Sequence, residues 1–217
     1  MYNVAVGHNT GAAVTTGIQN TLIGALAGDA LTDADYNVAV GVTALGGDTQ
    51  GSKSTALGYS ALVAQNFTTA TDTHNTAVGF ESGAGVTTGT ENTFVGSKSG
   101  PAVTTGDGNV AVGKSSMMLN TVGGASTALG QLALRNQNPA TATDMFNTAI
   151  GNQTGRAITT GKYTTLVGAV AGDALTTSDY NTAVGYLALS ADTLGANNTA
   201  IGSAALMTQN FTTATNS

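Results

Sequence analysis

The sequence predicts an all-β protein, a parallel β-solenoid (β-roll) of twelve short coils, and three observations carry that prediction. A five-residue phrase, Asn-(Thr/Val)-Ala-(Val/Ile)-Gly, recurs along the whole chain. Its glycine falls at Gly7, Gly24, Gly41, Gly58, Gly79, Gly96, Gly113, Gly130, Gly151, Gly168, Gly185 and Gly202, so the spacing runs 17, 17, 17, 21 and then repeats. The segment QNFTTAT at 65–71 also returns unchanged at 209–215, two 72-residue units later. A fixed period of this length marks stacked supersecondary units, each burying its apolar face on the next. The chain therefore reads as one solenoid domain, 1–217, with super-repeats 1–72, 73–144 and 145–216 of four coils each.

Each coil begins with a strand. The second and fourth places of the phrase point to one face and the middle place to the other. The fourth place is Val6, Ile23, Val40, Leu57, Val78, Val95, Val112, Leu129, Ile150, Val167, Val184 and Ile201. It is always apolar and mostly β-branched, and the expectation is that this column is the core. The middle place is Ala in nine coils and large at Leu22, Phe94 and Leu166. The glycine that follows ends the strand, where a turn needs φ > 0 or a close backbone approach.

A second apolar site follows four residues later, at Leu45, Leu62, Met117, Leu134, Leu189 and Leu206. In the other coils Gly takes that place, and Val14, Leu31, Val86, Val103, Ile158 or Leu175 appears three residues on. Thr stands eight residues after the glycine in every complete 17-residue coil, from Thr15 to Thr193. Asparagines such as Asn20, Asn37, Asn92 and Asn181 open the strands and read as a turn-stabilising ladder. At about 4.8 Å per coil the rod would be roughly 55 Å long.

The composition fits thin, regular β architecture. The chain has 30 Gly, 2 Pro, no Trp and no Cys, and 8% of its residues are charged. That is too poor in large side chains for a thick core and too apolar for a disordered chain. The absence of Cys excludes a disulfide framework and a thiolate metal site. A net charge of −6 argues against nucleic acid, which needs clustered Lys and Arg. No apolar run approaches the roughly 20 residues of a membrane span, and the first ten residues lack the pattern of a signal peptide.

One coil offers one dependable large apolar side chain per strand. Burying it yields about 1.5–3 kcal/mol, against about 1–2 kcal/mol per residue for ordering the backbone. Self-association is the expected remedy, with a threefold bundle about the rod axis preferred. Three chains would carry 3 × (−6) = −18.

On the segment Asn181-Thr182-Ala183-Val184-Gly185-Tyr186-Leu187-Ala188-Leu189 and its relatives throughout the chain, the sequence resembles the heads of YadA-like trimeric autotransporter adhesins. Those heads are left-handed parallel β-rolls. It is closer still to the NTAVGYxAL-type repeats of phage and viral tail fibres. The resemblance implies a homotrimer at an extracellular or virion surface, with a structural and attachment role and a cell-surface glycan as a further partner. The period of 17 and 21 residues is longer than that of the adhesin heads. A self-assembling extracellular filament without a receptor is the alternative expectation. Ice binding by regular Thr columns is a more distant one.

Met1-Tyr2-Asn3 aligns with Met145-Phe146-Asn147, an internal position of the super-repeat, and the length is 3 × 72 + 1. The expectation is a segment of a longer array, or a rod that stacks end to end.

Enzyme chemistry is not expected, nor are catalytic residues, a cofactor or a metal. The segment Gly108–Ser115 fits the P-loop pattern G-x-x-x-x-G-K-S, which needs a strand before it and a helix after it; here its middle is the repeat phrase itself. Asp35, Asp107 and Asp179 share one super-repeat position, as do Asp72 and Asp144, and read as turn formers. His8 and His74 form no metal-binding pair, and His74 shares a column with Tyr2 and Phe146, which makes it a packing residue. The four extra residues of every fourth coil, around Phe67, Pro139 and Phe211, should bulge as surface loops. The two phenylalanines are expected to be exposed there, offered to a sugar ring or to a neighbouring chain.

Overall fold

In the computed structural model the repeat phrase forms a strand in every coil, from Val4–Val6 to Thr199–Ile201, and these twelve strands pair in parallel as one sheet. The structure describes residues 2–211, Thr213 and the backbone of 215–216. Register follows the glycine spacing. Val4 pairs with Thr21 and Thr21 with Val38, 17 residues apart, whereas Thr55 pairs with Thr76 and Thr127 with Thr148, 21 apart. A second side of the coil forms two-residue strands at the long coils, where Gly51–Ser52 pairs with Thr71–Asp72 and Gly123–Gly124 with Thr143–Asp144. No helix occurs among the described residues.

Both reasons for the strand-end glycine hold. The twelve have φ between +125° and +141°, and a Cβ on Gly24 would lie 2.5 Å from the carbonyl oxygen of Gly41 in the next coil. The turn beyond is less expected. Twenty-eight described non-glycine residues also have positive φ, including Leu26, Thr43, Leu62 and Val170. Such a conformation costs an L-residue roughly 1–2 kcal/mol. It is held because it aims successive peptide groups at different neighbours. Leu26 N–H donates to His8 O in the coil before at 2.9 Å, and Gly28 N–H donates to Ala44 O in the coil after at 2.9 Å.

The asparagine ladder forms as the sequence predicts. Asn20 Nδ2 donates to Ala34 O at 2.7 Å in its own coil, and Asn20 Oδ1 accepts from Asn37 N–H of the next coil at 2.9 Å. Asn92 and Asn109 repeat the pattern, all of them buried. The Thr column is likewise a coil-to-coil tie, with Thr32 Oγ1 donating to Thr49 O at 3.0 Å.

The structure corrects which strand face is core. Val6, Ile23, Val40, Leu57, Val78, Val95, Val112, Leu129, Ile150, Val167, Val184 and Ile201 lie on the outer face of the sheet, partly exposed throughout and 44% exposed at Leu129. The middle residue points into the coil, where Ala39, Ala56, Ala111 and Ala183 are fully buried. The reason is width. The lumen of a 17-residue coil admits Ala from the strand and one large side chain from the opposite wall.

Two coil types alternate in pairs to keep that volume constant. One type carries Leu45, Leu62, Met117, Leu134 or Leu189 on the far wall, all buried, opposite a strand Ala. The other has Gly on the far wall, and its space is taken by Leu22, Phe94 or Leu166 together with Leu31, Val103 or Leu175. A Cβ on Gly100 would lie 2.4 Å from Phe94 Cε1, and one on Gly28 would lie 2.9 Å from Leu22 Cδ2. Phe94 also reaches back over Gly83, so one ring fills two coils.

Candidate functional site

Three surface features stand on this scaffold: the outer sheet face, the loops of the long coils, and two columns of exposed aromatic rings. The outer face is set by alternation along each strand. Thr or Val at the second place and Val, Ile or Leu at the fourth project away from the lumen, giving two parallel columns that run over twelve coils. Val78 and Ile150 are each 36% exposed, which places the apolar column at the surface of the single chain.

The loops bulge, but their anchors turn inward. Thr68, Thr69 and Ala70 are exposed, whereas Phe67 is buried, Pro139 is buried and Phe211 is half-buried. The expectation of exposed phenylalanines is therefore corrected. Pro139 packs on Gly123, and Phe211 packs on Gly195, where a Cβ would sit 2.7 Å from its ring. Thr212, Ala214 and Ser217 of the third loop lie outside the described residues.

A buried polar anchor holds each loop, and sequence reasoning did not single it out. Asp48 Oδ1 accepts from Gly51 N–H at 3.1 Å and from Phe67 N–H at 2.9 Å, while its Oδ2 accepts from Gln65 Nε2 at 2.6 Å. Gln65 Oε1 in turn accepts from Asn75 Nδ2 at 2.9 Å. Asp192, Gln209 and Phe211 reproduce the arrangement. A buried carboxylate is tolerated because its lone pairs are filled by these donors. The available signal was a polar residue seven places after the glycine, only in coils whose far-wall site is large.

The aromatic columns were also missed as a pair. Phe146, Tyr163 and Tyr180 occupy the place before the strand asparagine and stack with centroids 5.5 and 5.0 Å apart, nearly parallel. Tyr59 and Phe80 stack at 5.3 Å on the far side of the strand glycine. Their 17- and 21-residue spacing is the signal. His74 stands in the first column and is exposed, as the stacked rings of that column are; His8 is exposed as well.

The remaining motifs resolve structurally. In Gly108–Ser115 the strand Val110–Val112 lies inside the pattern and a turn follows it, so no helix N-terminus is available to a phosphate. Asp35 Oδ1 accepts from Ile18 N–H at 2.7 Å and Asp179 Oδ1 from Lys162 N–H at 2.7 Å, a bond from one coil to the next. Among the described residues no three His, Asp or Glu side chains are grouped to hold a metal. Burial pushes the Asp173 carboxyl above its ordinary value, opposed by nearby Arg156 and a backbone hydrogen bond.

Comparison with protein-family models, with curated proteins and with solved structures gave no match to this chain.

Proposed function

We propose that this chain is a fibre shaft that assembles as a homotrimer through its outer sheet face and serves attachment at an extracellular or virion surface. One observation carries the reading. The apolar column from Val6 to Ile201 runs unbroken along the outside of the sheet, at least partly exposed in every coil. A contiguous apolar strip of this kind marks an interaction surface, and fully burying each Val, Ile or Leu contributes about 1.5–3 kcal/mol. Neighbouring copies related by a threefold axis would bring these columns together. The resemblance of the repeat phrase to adhesin heads and tail fibres points the same way.

Sedimentation equilibrium tests the assembly. The expected mass is three times the 21.3 kDa of one chain, and the double substitution Val95→Asp, Val167→Asp should return monomers with an unchanged β spectrum. A wild-type monomer at micromolar concentration would end the trimer reading. A glycan array with the intact assembly tests attachment, and trimers that bind no glycan would leave a shaft without a receptor.

The same face supports a second reading because Thr127, Thr148, Thr165, Thr182 and Thr199 form an uninterrupted hydroxyl column beside the apolar one. A monomer showing thermal hysteresis would select ice binding. The other Thr column, from Thr15 onward, is less suited to ice because its hydroxyls are bonded between coils.

A further inference from the structure

The two end faces of the rod are the two halves of a contact that the chain already makes twice inside itself. Counted by their strand glycines, the fourth coil (Gly58) meets the fifth (Gly79), and the eighth (Gly130) meets the ninth (Gly151), each across a 21-residue step. At the first junction Leu62, Ala64 and Asn66 N–H donate to Ser82, Ala84 and Thr87 O at 3.1, 3.2 and 2.9 Å, and Gly79 N–H donates back to Leu57 O at 2.7 Å. Leu134, Asn136 and Asn138 repeat this on Thr154, Arg156 and Thr159. The twelfth coil carries the donor half at Leu206, Thr208 and Asn210, and the first coil carries the acceptor half at Thr10, Ala12 and Thr15. Gly7 N–H and Ile201 O stand where those of Gly79 and Leu57 do. None of these backbone groups has a partner among the described residues.

The lumen is open at the same two faces. Leu62 and Leu134 are fully buried under the next coil, against Gly83 and Gly155, whereas their counterpart Leu206 is 43% exposed. Ala77 and Ala149 are buried in the receiving strands, whereas their counterpart Ala5 is exposed. Gly11, with Leu22 behind it, is the counterpart of Gly83 and Gly155. Charge is absent here as well. All 6 basic and 12 acidic side chains lie from Asp29 to Asp192, so neither end coil carries one. An open strand edge is ordinarily kept from pairing by charge or proline, and the first and twelfth coils have neither.

We propose that the twelfth coil seats on the first coil of a second copy, joining chains head to tail. Thr199–Ile201 then pairs in parallel with Val4–Val6 of the second copy, in the register of Thr55–Leu57 on Thr76–Val78. Leu206 is covered by Gly11 of the second copy, as Leu62 is by Gly83. The complementarity belongs to these two coils themselves, whatever sequence flanks them. The contact is axial and the trimer contact is lateral, so it is open equally to one chain or three.

The chain has no Cys, so a disulfide can report the junction. Ala5 and Ala200 stand at opposite ends of the twelve-stranded sheet, but head to tail they become strand partners about 4.8 Å apart, within reach of a disulfide. Both stand on the lumen side of the sheet, away from any lateral contact through its outer face. Oxidation of the Ala5→Cys, Ala200→Cys double variant should give a ladder of covalent oligomers on non-reducing denaturing gels, and neither single variant should. Leu206→Asp, suited to the positive φ of 50° at that position, should cut the ladder about tenfold by removing the buried leucine. In electron micrographs wild-type particles should lengthen with concentration in steps of roughly 55 Å. Wild-type rods of one length at every concentration, a double variant that cross-links no more than the singles, or a single variant that cross-links alone would each overturn the proposal. Sedimenting trimers that form no ladder would sink the axial contact and leave the lateral one standing; a ladder built from single chains would do the reverse.

Discussion

The loop anchor at Asp48 and its copy at Asn120 differ by one side-chain group, yet they are wired differently. Asp48 receives three donors and passes the chain of bonds on through Gln65 to Asn75. Asn120 closes on Gly123 alone, accepting from its N–H and donating to its O, both at 2.9 Å. Gln137 still accepts from Asn147 Nδ2 at 3.0 Å, but its own buried Nε2 has no partner. Replacing a carboxylate oxygen by an amide N–H sets donor against donor. Pro139 stands where Phe67 does and has no N–H to donate, so the middle loop is the less firmly held of the two.

The sharpest way to break this comparison is Asp48→Ala. It leaves two backbone N–H groups without their acceptor and takes one of two from Gln65 Nε2, which keeps Ser54 Oγ at 2.9 Å. At roughly 1–3 kcal/mol for each buried donor, the loss should reach about 3–5 kcal/mol. Amide exchange should accelerate at 48–73 and stay unchanged at 120–145, because solenoid coils open locally.

Next in size is the core contrast between Phe94 and Leu22. Gly100→Ala should cost about 2–4 kcal/mol, combining overpacking against Phe94 with a positive φ of 55°. Gly28→Ala, facing Leu22, should cost less. Adding Phe94→Leu to Gly100→Ala should recover part of the loss, and denaturation of the double variant measures that coupling.

Asn120→Asp should firm the middle loop by about 1 kcal/mol, giving Gln137 Nε2 the acceptor its counterparts have. Slower amide exchange at 137–145 is the readout, and faster exchange would show that desolvating a third carboxylate outweighs the new bond.

The smallest effect belongs to Asp173, whose counterpart in the middle copy is Pro101. Its carboxyl is raised in the folded state by burial, so the native chain binds its proton more tightly than the unfolded one. That contribution is fully present below the unfolded pKa and is lost as pH rises through the folded value. Asp173→Asn should therefore stabilise slightly at pH 7 and not at pH 3, read from melting curves at the two pH values.

The fold was legible because its ruler is written in glycine. Gly24 or Gly41 can be nothing else where φ is near +135° and the next coil's carbonyl sits on the Cα, so period, register and coil count follow from spelling. Alternation alone does not say which strand face is inside. The larger residues Val40 and Leu129 seemed the natural core, and the narrow lumen chose Ala39 and Ala128 instead. The pairing of Leu22 with Gly28 and of Phe94 with Gly100 held that information, since residues that trade volume must share a space. The loops misled for a related reason. Phe67 carries no mark of direction, and only the buried Asp48 that grips its N–H turns it inward.

The inward-facing residues are few in kind, and the outward ones are not. The place before the strand asparagine holds Tyr36, Lys53, His74, Glu91, Gly108 and Phe146 on one unvarying backbone. Chemistry on the exterior is thus uncoupled from the packing beneath it, and each coil presents an addressable position about 4.8 Å from the next. Such a rod can acquire new surface lettering one substitution at a time while its architecture stays constant.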